Sequence, residues 1–364
     1  MKKFITRVLL ICSPLIILYA YPMVRFANGE SFGDLSQYGN YFFNKEYNSV
    51  VAHKPDFKRH VVLSENITKE VRDSDVLIIG DSFTQLGYNN FMEYLQSLLP
   101  TRTVYGIHTI RSNEEWHYIH QSVGDSGRLL EFPSKTDVIL YLLRHADHLP
   151  STIVIESSEM WPIKTHFHIS EDSLPDYKGD PLPSSTEKYD RYNRKLVTPN
   201  PIECVLDGRA FEFAQKWLKR WKSRPVEISS LTQPLFTAKG NESTLYYLPF
   251  SISWTDEKVR SMRSDMTKII DEGTKRNVNI LFVIIPLKHH LYKDFMLTGA
   301  PQVTFISDYL TDLTDDPHYL ICYPIFRNLL EQGEKDLFLC NDTHWSYKGA
   351  KICAEEIKQK IDSF

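Results

Sequence analysis

Five short apolar runs, separated by stretches of helical spacing, limit the folds open to this chain more than any other feature. The runs are "DVLIIGD" (75–81), "RTVYGIHTI" (102–110), "STIVIESSE" (151–159), "NILFVIIP" (279–286) and "HYLICYP" (318–324). The first is apolar without alternation, as in a strand buried on both faces. After it, "YNNFMEYLQSLLP" (88–100) sets Phe91, Tyr94, Leu95 and Leu98 on one side of a helix. "KTDVILYLLRHADHL" (135–149), "WTDEKVRSMRSDMTKIIDEGTKRN" (254–277) and "SYKGAKICAEEIKQKI" (346–361) also read as helices, the last with Ser346 as N-cap. Strands and helices alternating at these lengths predict a mostly parallel sheet covered on both faces. A chain of 364 residues holds one such α/β unit with insertions, or two modest domains. We assign the unit to residues 75–364.

The alternation breaks at about 160–250. The stretch 168–201 is rich in Pro, Asp and Ser, has no usable period, and is followed by a helical pattern at 204–222. A run of this kind inside a domain is functional or disordered. It reads as an insertion over the strand ends. Its aromatic residues (Trp161, Phe167, Tyr177, Tyr189, Tyr192) suit stacking on sugars or the filling of an ordinary interface.

The N-terminus reads as a cytoplasmic tail (1–7), an uncharged span (8–24) and a stalk and entry segment (25–74). The span is just long enough to cross a bilayer, and Pro14 and Pro22 are tolerated in membrane helices. Lys2, Lys3 and Arg7 put the tail inside and the rest of the chain outside. A signal anchor is favoured over a cleaved signal peptide, because no small-x-small cleavage site follows the span. Ile11 before Cys12 argues against lipidation there.

A net charge of −4 gives no sign of a nucleic-acid partner, which would need a clustered basic face, and none is expected. Cys204, Cys322, Cys340 and Cys353 fit no zinc spacing. Outside the cytoplasm Cys322 and Cys340 suit a disulfide across one helix-sized segment, and four buried thiols are the alternative. Asn66 and Asn241 begin glycosylation sequons. His289-His290 and His166-x-His168 lack supporting ligands and read as surface or loop histidines; no metal or other cofactor is expected.

Chemistry gathers at two places. Ligands of open parallel sheets bind beyond the carboxyl ends of the strands, and Gly80-Asp81-Ser82 follows such an end. A serine there is exposed, and backbone N–H groups entering the next helix suit an oxyanion. It needs a base and a group to orient that base. "CNDTHWSYKGA" (340–350) supplies both. In an extended loop Asp342 and His344 point to the same side, so the carboxylate can take the Nδ1–H and leave Nε2 for Ser82; the alternative is that Asp342 caps the last helix and His344 is a surface residue. Asp81 is expected to bond the turn.

Gly80-Asp81-Ser82-Phe83 and Asp342-Thr343-His344-Trp345 resemble the SGNH (GDSL-like) hydrolase superfamily. The Asp-x-His-Trp form is similar to the branch that includes the alginate O-acetyltransferases. So are Pro286, Lys288 and Tyr292 in "FVIIPLKHHLYKDF", and the strand ending in Glu156. The resemblance implies a three-layer α/β/α flavodoxin-like sandwich. It implies a triad of Ser82 (nucleophile), His344 (base and acid) and Asp342 (orienter), with Ser82 and Gly106 at the oxyanion hole. Where the superfamily has an oxyanion Asn, this chain has Glu156 or a neighbour, and an ionised carboxylate cannot donate. The alginate enzymes carry Asp-x-His before the serine, whereas here it follows. Lys288, Tyr292, Glu156 and Trp345 are candidate substrate contacts, Lys288 touching a glycan or pairing with a carboxylate. The function implied is O-acetylation of a polysaccharide outside the cytoplasm, served by a membrane-bound O-acyltransferase partner. The alternatives are a carbohydrate esterase with the same triad and an inactive glycan-binding or scaffold protein.

Overall fold

The structure, a computed structural model, describes residues 12–13, 74–80, 82–85, 91–108, 139–140, 143–144, 146, 148–159, 227–238, 240–247, 254–299, 304–340 and 342–364. The proposed membrane span, apart from Cys12 and Ser13, lies outside these residues. So do the stalk apart from Ser74, most of the insertion, Asp81, Asn66, Cys204, His166 and His168. Among the described residues no helix is long and apolar enough to cross a membrane.

Along the chain the elements are β1 (Val76–Gly80), α1 (Ser82–Gln85), α2 (Phe91–Leu98), β2 (Val104–His108), β3 (Thr152–Ser158), β4 (Glu227–Ser230), β5 (Thr244–Tyr247), α3 (Asp256–Lys275), β6 (Asn279–Ile285), α4 (Lys288–Tyr292), α5 (Ile306–Tyr309), β7 (Tyr319–Ile321), α6 (Cys322–Glu331) and α7 (Tyr347–Ser363). The main sheet is ordered β2-β1-β3-β6-β7 and every pair in it is parallel. The order reverses at β1, so the cleft for a ligand opens where β1 and β3 end.

The apolar runs work as two-sided strands. In β1, Val76 and Ile78 enter one hydrophobic cluster while Leu77 and Ile79 enter another, all at most 1 % exposed. Alternate residues of a strand face opposite ways, so both faces must be apolar when both are covered. Each such side chain contributes roughly 1.5–3 kcal/mol of burial. The first cluster holds α2, α6 and α7; the second holds α3. Helix α3 starts at an N-cap, Thr255, whose hydroxyl accepts the Lys258 N–H at 3.3 Å. Asp256 and Glu257 in its first turn complement the helix dipole.

Two segments depart from expectation. "HYLICYP" is strand only to Ile321, and α6 starts at Cys322. Pro324 sits in the first turn of that helix, where a missing N–H costs nothing. Within the predicted insertion, β4 and β5 form an antiparallel ribbon. Leu231, Leu235, Phe236 and Leu245 of that region join the first cluster, so this end of the insertion is core. At four residues each, and without strict apolar–polar alternation, Glu227–Ser230 and Thr244–Tyr247 carry no readable period of two.

Of the two expectations for the cysteines, the Cys322–Cys340 disulfide is corrected, and buried free thiols hold for Cys322, Cys340 and Cys353. Cys322 lies not beside Cys340 but beside Cys353, with Sγ atoms 3.9 Å apart, and neither is bonded. Burial, then Cys322, raises the Cys353 thiol well above its ordinary value. Burial pushes Cys340 up to about 12 against the pull of Lys288.

Candidate active site

Ser82 begins α1, two residues beyond the end of β1. Its side chain lies outside the described residues. Its neighbours are well defined. Gly80 is needed for close approach: a Cβ there would stand 1.7 Å from Thr84 Oγ1 and 2.5 Å from Glu156 Oε2. The Thr84 hydroxyl donates to Glu156 Oε2 at 2.6 Å, and both residues are fully buried. Glu156 of β3 thus ties the α1 turn to the adjacent strand.

Phe83, next to Ser82, turns into the core. Its ring meets His344 edge-on at 4.8 Å between centroids, Trp345 at 5.1 Å and Phe338 at 6.1 Å. The segment carrying Asp342 and His344 is therefore packed on the residue that follows Ser82.

That segment is a hairpin. The Leu339 N–H donates to His344 O at 3.0 Å and the Ser346 N–H to Leu337 O at 2.9 Å. Ser346 caps α7, its hydroxyl accepting the Lys348 N–H at 3.0 Å and donating to Asp336 O. Gly349 lets α7 lie against the hairpin, since a Cβ there would stand 2.5 Å from Leu337 O. At the tip, Asp342 Oδ1 accepts the His344 Nδ1–H at 2.6 Å and the His344 backbone N–H at 3.0 Å. The side chains are 8 % and 13 % exposed, which shields the bond while leaving the imidazole within reach of solvent. A carboxylate on Nδ1 fixes the tautomer, leaving Nε2 to take a proton.

The four candidate substrate contacts are corrected to scaffold. Trp345 is fully buried between Phe83 and Phe91. Tyr292 is fully buried between Phe236 and Phe338, and burial pushes its phenol far above its ordinary value. Glu156 holds the α1 turn. Lys288, 2 % exposed, sends its ammonium to three backbone carbonyls, Leu339 O (2.7 Å), Cys340 O (2.7 Å) and Asp342 O (3.0 Å). Gly106 pairs with Ile78, whereas Gly80 pairs with His108, so it lies two residues, about 7 Å, short of the strand end. An oxyanion role for it does not fit that level.

Sequence reasoning missed a second buried cluster. His289 and His290 are not surface residues; they are 2 % and 0 % exposed. The His290 ring is stacked between Phe305 (3.9 Å) and Tyr323 (4.0 Å). Its Nδ1–H donates to Glu159 at 2.7 Å, and its Nε2 lies 3.5 Å from Asp308 Oδ1, an ion pair too long for a hydrogen bond. Burial works against charge on this imidazole, but Glu159 and Asp308 outweigh it, so its pKa is raised. Glu159 also accepts the Leu287 N–H at 2.9 Å and the Ser307 N–H at 3.2 Å. The only sequence signal was an acidic residue one step past β3 and a His one turn past β6. Among the described residues no three His, Cys, Asp or Glu gather closely enough to hold a metal.

No curated protein and no solved structure matches the chain. Residues 251–363 match the family model described as "SGNH hydrolase-like domain, acetyltransferase AlgX". That span contains the Asp342–His344 hairpin and Lys288 but not Ser82. In its C-terminal part, then, this chain matches the SGNH hydrolase-like domain of the acetyltransferase AlgX, the branch that its motifs resemble.

Proposed function

We propose that this protein is a polysaccharide O-acetyltransferase of the SGNH type, built on a flavodoxin-like sandwich and acting outside the cytoplasm from an N-terminal membrane anchor. The observation that carries this reading is the Asp342–His344 pair, bonded at 2.6 Å and packed through Phe83 against the turn that bears Ser82. The family match over residues 251–363 supports the transferase chemistry.

In the proposed cycle, His344 Nε2 takes the Ser82 proton as Oγ attacks the acetyl carbonyl of the donor. The tetrahedral oxyanion is held by the Ser82 backbone N–H. The intermediate collapses to acetyl-serine, and the donor's leaving oxygen or sulfur departs with the proton from His344. A sugar hydroxyl then gives its proton to His344 and attacks the acetyl carbon. When Ser82 leaves it recovers that proton, and the sugar carries a new ester. Asp342 stays ionised, holding the imidazole and offsetting its charge. The donor in the membrane is a membrane-bound O-acyltransferase partner, and the acceptor is a polysaccharide.

A second reading, a carbohydrate esterase in which water replaces the sugar hydroxyl, is favoured by the order Ser82, Asp342, His344 along the chain. The two are separated by giving the full chain an activated acetyl ester with and without oligosaccharides. Acetylated sugar that disappears in Ser82→Ala supports the transferase. Free acetate alone, unaffected by acceptor, supports the esterase. An inactive wild type leaves a glycan-binding scaffold.

A further inference from the structure

We infer that Lys288 is a positioning residue, whose buried ammonium folds the tip of the Asp342–His344 hairpin and so holds the His344 imidazole toward Ser82. The inference rests on the reading of the site given above, and names the device that keeps it assembled.

The neck of the hairpin is held by its own backbone, through Leu339 N–H to His344 O and Ser346 N–H to Leu337 O. Beyond the neck lies the tip. Around it the carbonyls of Leu339, Cys340 and Asp342 converge on one point, where Lys288 Nζ sits at 2.7, 2.7 and 3.0 Å. An ammonium has three donors, and these three carbonyls are enough to take them all. Carbonyl dipoles of near neighbours repel when they converge, so a cation at their focus sets the curl of the chain. The curl in turn sets where the Asp342 carboxylate and the His344 ring point.

A buried ammonium is costly unless it is fully bonded and its own backbone is fixed. Lys288 is 2 % exposed and meets both conditions. Its Nζ lies over the Phe236 ring, 5.5 Å from the centroid. It stands on α4, and α4 is pinned from the other side: Glu159 accepts the Leu287 N–H just before the helix and the His290 Nδ1–H within it. Phe305 and Tyr323 close on both faces of His290. A continuous set of contacts therefore runs from the end of β3 through Glu159, α4 and Lys288 to the hairpin tip.

A merely structural lysine would lower stability when removed and leave the Asp342–His344 bond as it was. A positioning lysine changes that bond and kcat. The test uses the full chain and three variants: Lys288→Met, Lys288→Arg and, as a surface control on α7, Lys351→Met. The first readout needs no activity: the downfield proton NMR signal of His344 Nδ1–H bonded to Asp342, assigned by its loss in His344→Gln. The second is kcat and KM with an activated acetyl ester. Lys288→Met is expected to lose or broaden the signal and to lower kcat about 100-fold, as for a misplacement near 1 Å, with KM within about 3-fold. Lys288→Arg keeps charge but not the tripod and falls between. Lys351→Met matches the wild type.

A folded Lys288→Met that keeps the signal and kcat, or that loses activity through KM alone, overturns the inference. If neither Lys288 variant folds, the wild type decides. Its 15N-lysine spectrum must contain one ammonium with slowly exchanging protons, and the absence of that signal overturns the inference as well. A wild type that transfers no acetyl group sinks the proposed function, while the signal comparison still decides the role of Lys288.

Discussion

A carboxylate beside a histidine is common, and what gives Asp342 its meaning is that it takes two bonds from one residue. The Nδ1–H and the backbone N–H of His344 both end on Oδ1. The imidazole can then neither rotate nor change tautomer without breaking a pair. Asp342→Asn should keep the hairpin but present an amide, favouring the wrong tautomer. We expect kcat to fall by about 10³–10⁴-fold with little change in thermal stability, read by steady-state kinetics and a melting curve. Trp345, next to His344, should behave in the opposite way. Buried between Phe83 and Phe91, its replacement by Ala should cost about 3–5 kcal/mol, read by denaturant unfolding. The motif Asp342-Thr343-His344-Trp345 was legible in the sequence. That its last residue packs the core was not, because residue type alone does not say which way an indole turns.

Short elements, not the long helices, carry the site. Helix α4 has five residues and no side-chain cap, and is too short to be stable alone. It persists because Glu159, Phe305 and Tyr323 hold His290. The clamp makes its stability depend on pH. His290 has a pKa raised in the folded state above the ordinary value near 6.5. Its contribution is therefore complete below about pH 6.5 and is lost as pH rises through the folded value. Asp308, shifted downward by His290 despite its burial, contributes above its unfolded value and loses that only in acid. The melting-temperature advantage of wild type over Glu159→Gln should thus be largest near pH 6 and shrink toward pH 9. An advantage that grows over that range would refute the clamp. Helix α7 gives a second element-scale expectation. In Gly349→Ala the new Cβ meets the Leu337 carbonyl, so the helix must move off the hairpin. Both stability and kcat should fall, measured on one preparation by unfolding and by kinetics.

Over the whole molecule, the parallel sheet was readable because β1, β3, β6 and β7 are buried on both faces almost throughout and are written mostly in apolar residues. The cleft at the ends of β1 and β3 then follows from strand order, and Ser82 and His344 come from opposite ends of the chain to the same edge of the sheet. The ribbon of β4 and β5 was hidden by its brevity, and the pairing of Cys322 with Cys353 by the start of α6 at Cys322. The clamp of Glu159 and His290 joins residues far apart in sequence, each ordinary by itself; only the fold brings them together. The proposed chemistry puts an acyl-serine at Ser82 on this edge. The most direct measurement is mass analysis of the Ser82 peptide after the full chain meets an activated acetyl ester. An acetyl adduct is expected on that peptide, discharged onto an added oligosaccharide and absent in Ser82→Ala and His344→Gln. No adduct on the wild-type peptide, or the same adduct in Ser82→Ala elsewhere on the chain, would contradict it.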